Sequence, residues 1–212
     1  MKRLIEQNIN TPQEYDRIFR LRSKREADWQ DVRRWWAMLK YWRGGRLLDV
    51  GSLDSFIPPF AKMKYKDAKI TATDVSEESV SSMSNKFDGV SYLVDDIYKT
   101  KLDVESFDYV CVGEVLEHLE GPWLALQNAF DLVKPGGWIV VSVPFNEARE
   151  PGAVDLERHL WSFEKDDFIF FFRGWGRVKF KVLRSQYFPR YKYCFPQLII
   201  YCKKNEGGLY KL

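Results

Sequence analysis

Four acidic positions, each at the end of a short apolar run, carry most of the chemistry this sequence can offer. Asp49, Gly51 and Ser52 stand at and just beyond the end of Arg46–Val50. A small residue at such a point lets backbone approach a ligand closely. Asp74 ends the next apolar run, Lys69–Thr73, with Val75 and Ser76 after it. A carboxylate placed there can accept both hydroxyls of a ribose. Capping the following helix is the competing role for Asp74, but Ser76 already serves as a cap. Asp95-Asp96-Ile97 follows a third run. A carboxylate beside an apolar side chain can accept from an adenine amino group while its neighbour covers the ring. Gly113-Glu114-Val115-Leu116-Glu117-His118 follows a fourth, and Pro144 a fifth. Together these positions mark one crevice.

The elements that must hold them alternate. Runs at 46–50, 69–73, 90–94, 109–112, 138–143, 178–183 and 197–202 read as strands. Helices are expected at 56–65, after Ser76 with Glu77 and Glu78 in the first turn, from Pro122 to Lys134, and at 163–172. Trp123, Leu126, Phe130 and Val133 share one face of the Pro122 helix. Trp138–Val143 is apolar throughout, as in a strand buried on both faces. This order predicts a doubly wound α/β fold: a mostly parallel sheet of seven strands with helices on both faces. Residues 1–45 are expected to be helical. Thr11-Pro12 opens one helix, and Val32, Trp35, Trp36, Leu39 and Trp42 form the apolar face of another that stops at Gly44-Gly45. The organisation expected is one domain over 1–212: a helical cap (1–45), a cofactor-binding half (46–144) and a substrate-side half (145–212).

Bulk properties narrow the function classes. The 212 residues carry 33 basic and 30 acidic side chains, a net charge of +3, which does not call for a nucleic-acid partner. Basic residues concentrate in the first 46 positions, where a solvated helix face is the plain reading. Cys111, Cys194 and Cys202 are widely spaced and form no CxxC pair, so neither a disulfide framework nor a metal site is expected, and a reducing cytoplasm fits. No apolar run approaches the roughly 20 residues of a membrane span.

The stretches LeuLeuAspValGlySer, ThrAspValSer, AspAspIle, PheAspTyrValCysValGlyGluValLeuGluHis and LeuValLysProGlyGlyTrpIleValValSerValPro, in this order, resemble the class I S-adenosylmethionine-dependent methyltransferases. The resemblance is closest to a small-molecule branch with a GluValLeuGluHis and LysProGlyGly signature, and runs from Arg46 to Pro144. GluArgHisLeuTrpSerPhe (157–163) resembles a later segment of the same branch. The resemblance implies a Rossmann-like sheet whose last strand is antiparallel, S-adenosylmethionine as cofactor and the following site. Asp49, Gly51 and Ser52 lie under its methionine part, Asp74 holds the ribose, and Val75 packs on the adenine. Asp96 accepts from the adenine amino group, with Ile97 on the other ring face, and Glu114 stands by the methionine moiety. The family loop carries glycine where this sequence has Leu53 and Ser55.

Methyl transfer is an in-line displacement at a sulfonium carbon, so positioning of the nucleophile does most of the work. A general base helps only when the acceptor must lose a proton. His118 is the first choice for that base, with Glu114 and His159 behind it. Capping or packing is the alternative role for each histidine. The acceptor pocket is expected to draw on residues 1–45, 145–160 and 186–195. Basic residues beside Tyr15, Trp29, Trp35 and Trp36 point to an anionic small-molecule acceptor, such as a phosphorylated or nucleotide-linked sugar or a glycan precursor. Core or homodimer packing is the alternative role for those aromatics. Two other functions stay open: a non-catalytic relative of the fold, and a methyltransferase acting on RNA or protein.

Overall fold

The computed structural model describes residues 1–22, 29–145, 158–184 and 196–207, the side chain of Gln30 excepted. In chain order its elements are β1 (Lys2–Arg3), α1 (Pro12–Arg22), α2 (Trp29–Met38), β2 (Arg46–Val50), α3 (Ile57–Lys64), β3 (Lys69–Asp74), α4 (Glu77–Lys86), β4 (Val90–Val94) and β5 (Phe107–Gly113). A 3₁₀ turn (Leu116–His118) follows, then α5 (Pro122–Asp131), β6 (Val133–Pro144), β7 (Trp161–Ser162), α6 (Lys165–Phe171), β8 (Gly176–Leu183) and β9 (Gln197–Lys204).

Among the described residues, seven strands form one sheet in the order β4-β3-β2-β5-β6-β9-β8. The pairs from β4 to β6 are parallel, while β9 runs antiparallel to both β6 and β8. This is the expected doubly wound architecture with an antiparallel last strand. The order reverses between β2 and β5, so loops leaving these neighbours swing to opposite faces and open a crevice beyond their carboxyl ends.

Alternation along the strands sorts the core into two layers. Leu48, Val50, Val110 and Val112 face one side and pack with Leu126 and Phe130 of α5. Leu47, Tyr109 and Cys111 face the other and pack with Trp35, Met38 and Trp42. The hydroxyls of Tyr109 and Tyr201 donate to the carbonyls of Met38 (2.5 Å) and Ala37 (2.9 Å). These bonds reach carbonyls in the last turn of α2, where intrahelical partners run out, and the Ala37 carbonyl also accepts from the Lys40 amide (3.1 Å).

Three features depart from expectation. α2 ends at Met38, although the apolar period continues to Trp42; the chain turns over Leu39–Tyr41 and still buries Trp42 at 1% exposure. Val133, expected on a helix face, begins β6, and Lys134-Pro135-Gly136-Gly137 lies within that strand, where register with β5 shifts between Phe107 and Tyr109. Residues 1–45 are not wholly helical, because β1 pairs antiparallel with β7.

Helix α1 is anchored over the sheet edge. Ser76 caps α4 by accepting from the Ser79 amide (3.1 Å), and its hydroxyl donates to Asp16 of α1 (2.6 Å). Asp16 also accepts from the Glu78 amide (3.2 Å), an acid at a helix N-terminus where the macrodipole favours it. No helix among the described residues is long and apolar enough to cross a membrane.

Candidate functional site

The crevice holds a cavity of about 600 Å³ between the carboxyl ends of the parallel strands and the helices of the N-terminal segment. The candidate cofactor and catalytic residues at the four strand ends line it: Asp49, Gly51 and Ser52; Asp74 and Val75; Asp96 and Ile97; Glu114 and His118. His159, Tyr15, Trp35 and Arg34 line it too, which places both histidines and part of α1 and α2 at one cavity. Trp29 and Trp36 of α2 are exposed. Of the stretches expected around the acceptor, residues 146–157 and 186–195, Cys194 among them, lie outside the described residues.

The loop after β2 is shaped by backbone. Gly51 takes φ +65°, and a Cβ there would come within 2.5 Å of Val115. The Ser52 amide donates to the Thr73 carbonyl (2.9 Å). Leu53 sits at φ +37°, in the left-handed region that glycine favours. Its backbone thus takes a path a glycine would take, while its side chain packs against Phe19, Ala72, Met83 and Tyr92. Ser55 accepts from the Ile57 amide (3.1 Å).

Asp74 organises that loop. One carboxylate oxygen accepts from the Leu53 amide (2.8 Å) and the other from the Ser76 amide (2.9 Å). The residue is 5% exposed, and burial pushes its carboxyl up against the pull of those amides. The side chain is therefore fixed on two backbone donors, with each oxygen keeping a second lone pair for a ligand. Asp96 similarly accepts from the Tyr98 amide (3.0 Å).

Asp49 is different. It is 2% exposed, and its Oδ2 has no hydrogen-bond partner. Burial lifts its carboxyl to about 7, opposed by the Ser55 hydroxyl and the Arg34 guanidinium. The same carboxyl ionises near 3.9 in an unfolded chain, so the fold holds the proton more tightly and loses stability as pH rises between about 4 and 7. Asp49→Asn is expected to stabilise the ligand-free protein at pH 8 by on the order of 2 kcal/mol, an effect that disappears at pH 4. Thermal melts of both proteins at the two pH values check this.

Glu114 adopts φ +56°. Its carboxylate accepts from the Ser142 hydroxyl (2.8 Å) and Gln197 (3.3 Å), with Arg34 at 3.8 Å. A non-glycine residue at such a φ costs on the order of 1 kcal/mol and persists because these partners over-determine it.

At the mouth, His118 Nδ1 lies 3.0 Å from the Arg158 carbonyl, and Asn10 donates to the carbonyls of both His118 (3.0 Å) and Arg158 (2.9 Å). Burial, then the neighbouring His159, lowers His118 to about 3, so it is neutral at ordinary pH. The two imidazoles meet edge to face with centroids 4.9 Å apart. Glu117, which the sequence reading left without a role, is fully buried beside them. No local signal betrays it, because its seat is set by backbone from residue 160: the Leu160 amide donates to the Glu117 carbonyl (2.6 Å).

The lining carries eight carboxylates and three arginines. Each arginine is already paired: Arg22 with Asp54, Arg34 with Asp31, and Arg158 with Glu14. This donor set fits a cation that also bears hydroxyl and amino donors. The orphaned oxygen of Asp49 suits an ammonium or sulfonium, Asp74 a vicinal diol, and Asp96 with Ile97 and Val75 an aminated ring.

The family described as Methyltransferase domain matches residues 48–141. Within that half, the chain is 30% identical over 104 residues to a ubiquinone biosynthesis O-methyltransferase of Coxiella burnetii (strain RSA 493 / Nine Mile phase I), covering 47% of this chain and 44% of the relative. It is 32% identical over 108 residues to the protein of the same description from Paracidovorax citrulli, with the same 47% and 44% coverage. The match thus spans less than half the length of these relatives. The [4+2]-cyclase SpnF has the same fold, with a TM-score of 0.70 at 18% identity, over 96% of this chain and 99% of that one. So does the Haemonchus contortus phosphoethanolamine N-methyltransferase 2 in complex with S-adenosyl-L-methionine, at 0.67 and 12% identity over 92% and 57%. Sequence match and strand order agree on a methyltransferase-like domain over residues 48–141, carried on the fold these solved structures share.

Proposed function

We propose that this chain binds S-adenosylmethionine in the crevice and transfers its methyl group to a hydroxyl of a small molecule. The observation that carries the reading is the set of buried carboxylates, Asp49 and Asp74, at the switch point beside a glycine whose Cβ has no room. When bound, the cofactor supplies an electrophilic methyl on a sulfonium centre.

In this reading Asp49, Gly51 and Ser52 seat its amino-acid end and Glu114 bounds that end of the cavity. Asp74 holds the ribose, and Val75, Asp96 and Ile97 enclose the base. Tyr15 and α1 exclude water from above; burial pushes the Tyr15 phenol up, so it stays protonated. His118 is fixed by the Arg158 carbonyl with its other nitrogen free to accept, and His159 stands against it. The names of the matched relatives favour an oxygen acceptor. A phenol or a sugar hydroxyl both fit an acid-lined pocket. An anionic group finds less support, because the three lining arginines already hold carboxylates. In the same reading the whole chain works as one unit in the cytoplasm, with residues 1–45 as its cap; a homodimer has no observation in its favour.

Calorimetry of the full chain tests the cofactor step. S-adenosylmethionine is expected to bind at one per chain, and absence of heat would overturn the reading. Release of S-adenosylhomocysteine on addition of phenolic or sugar acceptors tests the transfer step. A second reading, cofactor binding without methyl transfer, draws on Leu53 and Ser55 standing where the family loop carries glycine; binding without any methylated product supports it.

A further inference from the structure

We propose that Glu117, His118 and His159 form a binding site for one divalent first-row transition ion, of the Zn²⁺ or Mn²⁺ kind, at the mouth of the crevice. One ligand atom from each side chain lies within 4.8 Å of the other two. Donors about 2.1 Å from a shared ion lie roughly 3.0–3.5 Å apart, so small side-chain rotations of about 1 Å close the set. Two imidazoles and one carboxylate are the donors such ions prefer, whereas Mg²⁺ and Ca²⁺ call for oxygen.

A second observation concerns proton placement. The Arg158 carbonyl can only accept, so His118 Nδ1 must carry the hydrogen of that 3.0 Å bond. The lone pair is therefore on Nε2, and Nε2 faces Glu117 Oε1 at 4.0 Å. An imidazole lone pair and a carboxylate oxygen facing each other at that distance leave space for a cation between them. A ring nitrogen held by a main-chain carbonyl is also the usual outer support of a metal-ligating histidine, because it fixes tautomer and orientation. Asn10 clamps the same carbonyl and that of His118.

The set is assembled from distant chain. Glu117 and His118 belong to the turn after β5, and His159 precedes β7. A backbone bond from Leu160 N to Glu117 O joins the two segments, and Leu4 N to Leu160 O ties the N-terminal segment to them. Three ligands on one face leave coordination positions open toward the cavity that all three line. What the ion would do there rests on the methyl-transfer reading. The acceptor hydroxyl oxygen binds the ion and releases its proton to water at the pocket mouth more easily. That oxygen then bonds the methyl carbon, while the carbon–sulfur bond breaks and its electron pair stays on sulfur. Charge balances: an alkoxide and a sulfonium become a neutral ether and a neutral thioether.

The test is direct metal binding to the chelator-treated full chain, with Co²⁺ as the visible probe and Zn²⁺ by calorimetry. One ion per chain is expected, with visible Co²⁺ bands. Affinity is expected to fall at least about 10-fold in Glu117→Gln and in His159→Gln. The second variant alters the more exposed ligand, so it keeps the test available if Glu117→Gln does not fold; circular dichroism reports folding. Wild-type protein that gives neither bands nor heat overturns the site. So does binding undiminished in a chain carrying both His118→Gln and His159→Gln, since the ion then sits elsewhere. Calorimetry with S-adenosylmethionine on the same samples separates the two proposals: cofactor binding without metal binding removes the metal site alone, and metal binding without cofactor binding removes the methyl-transfer reading.

Discussion

Asp74→Ala is expected to weaken S-adenosylmethionine binding by at least about 100-fold, with the apparent affinity read by calorimetry. Two bonds from ligand hydroxyls to a buried carboxylate are worth about 1.5–3 kcal/mol each, so their joint loss spans roughly 100-fold to 10,000-fold. The effect reaches further than the ligand. The same carboxylate holds the amides of Leu53 and Ser76, and alanine leaves both without that acceptor. Leu53 then loses one restraint on its left-handed backbone, and the melting temperature should fall as well. Asp74→Asn separates the two effects. Its single carbonyl oxygen can keep one amide but presents NH₂ to the other, so stability is partly recovered while ribose binding is not. An Asp74→Ala protein with wild-type affinity would remove this carboxylate from the site.

Gly51→Ala is expected to abolish measurable cofactor binding and to destabilise the fold by about 2–4 kcal/mol. Two costs combine. A Cβ forces an L side chain to hold φ +65°, and it presses to 2.5 Å from Val115. Relief of the second cost moves Val115, which lines the cavity next to Glu114. Gly51→Ala combined with Val115→Ala removes the clash and keeps the strained φ. The double variant should therefore recover part of the stability in denaturant unfolding. If it recovered none, the conformational cost alone would account for the loss.

The sheet was largely legible in the sequence, and the reasons are local. Strands β2, β3, β5, β6 and β9 are apolar runs ended by polar or small residues, and their order dictates which carboxylates meet at one edge. Asp49, Asp74, Asp96 and Glu114 could be placed at a common crevice because each is tied to a strand end. What was hidden depends on partners distant in sequence. The end of α2 meets the hydroxyls of Tyr109 and Tyr201, which no periodicity within residues 29–42 records. Strands β1 and β7 are two residues each, too short to show alternation. Glu117 is unremarkable in sequence; its burial follows from the chain before β7 folding back over the turn after β5.

The pairing of β1 with β7 bears on how the molecule is made. Lys2 and Arg3 leave the ribosome long before Trp161 and Ser162, to which they are hydrogen-bonded, and the Arg3 guanidinium stacks 4.7 Å above the Trp161 ring. Closing so long a loop carries an entropic penalty that the parallel strands in between must offset first. During synthesis the parallel strands can thus assemble while the first segment still hangs loose. The β1–β7 pairing therefore closes only after the strands that end at Asp74 and Gly113 have left the ribosome.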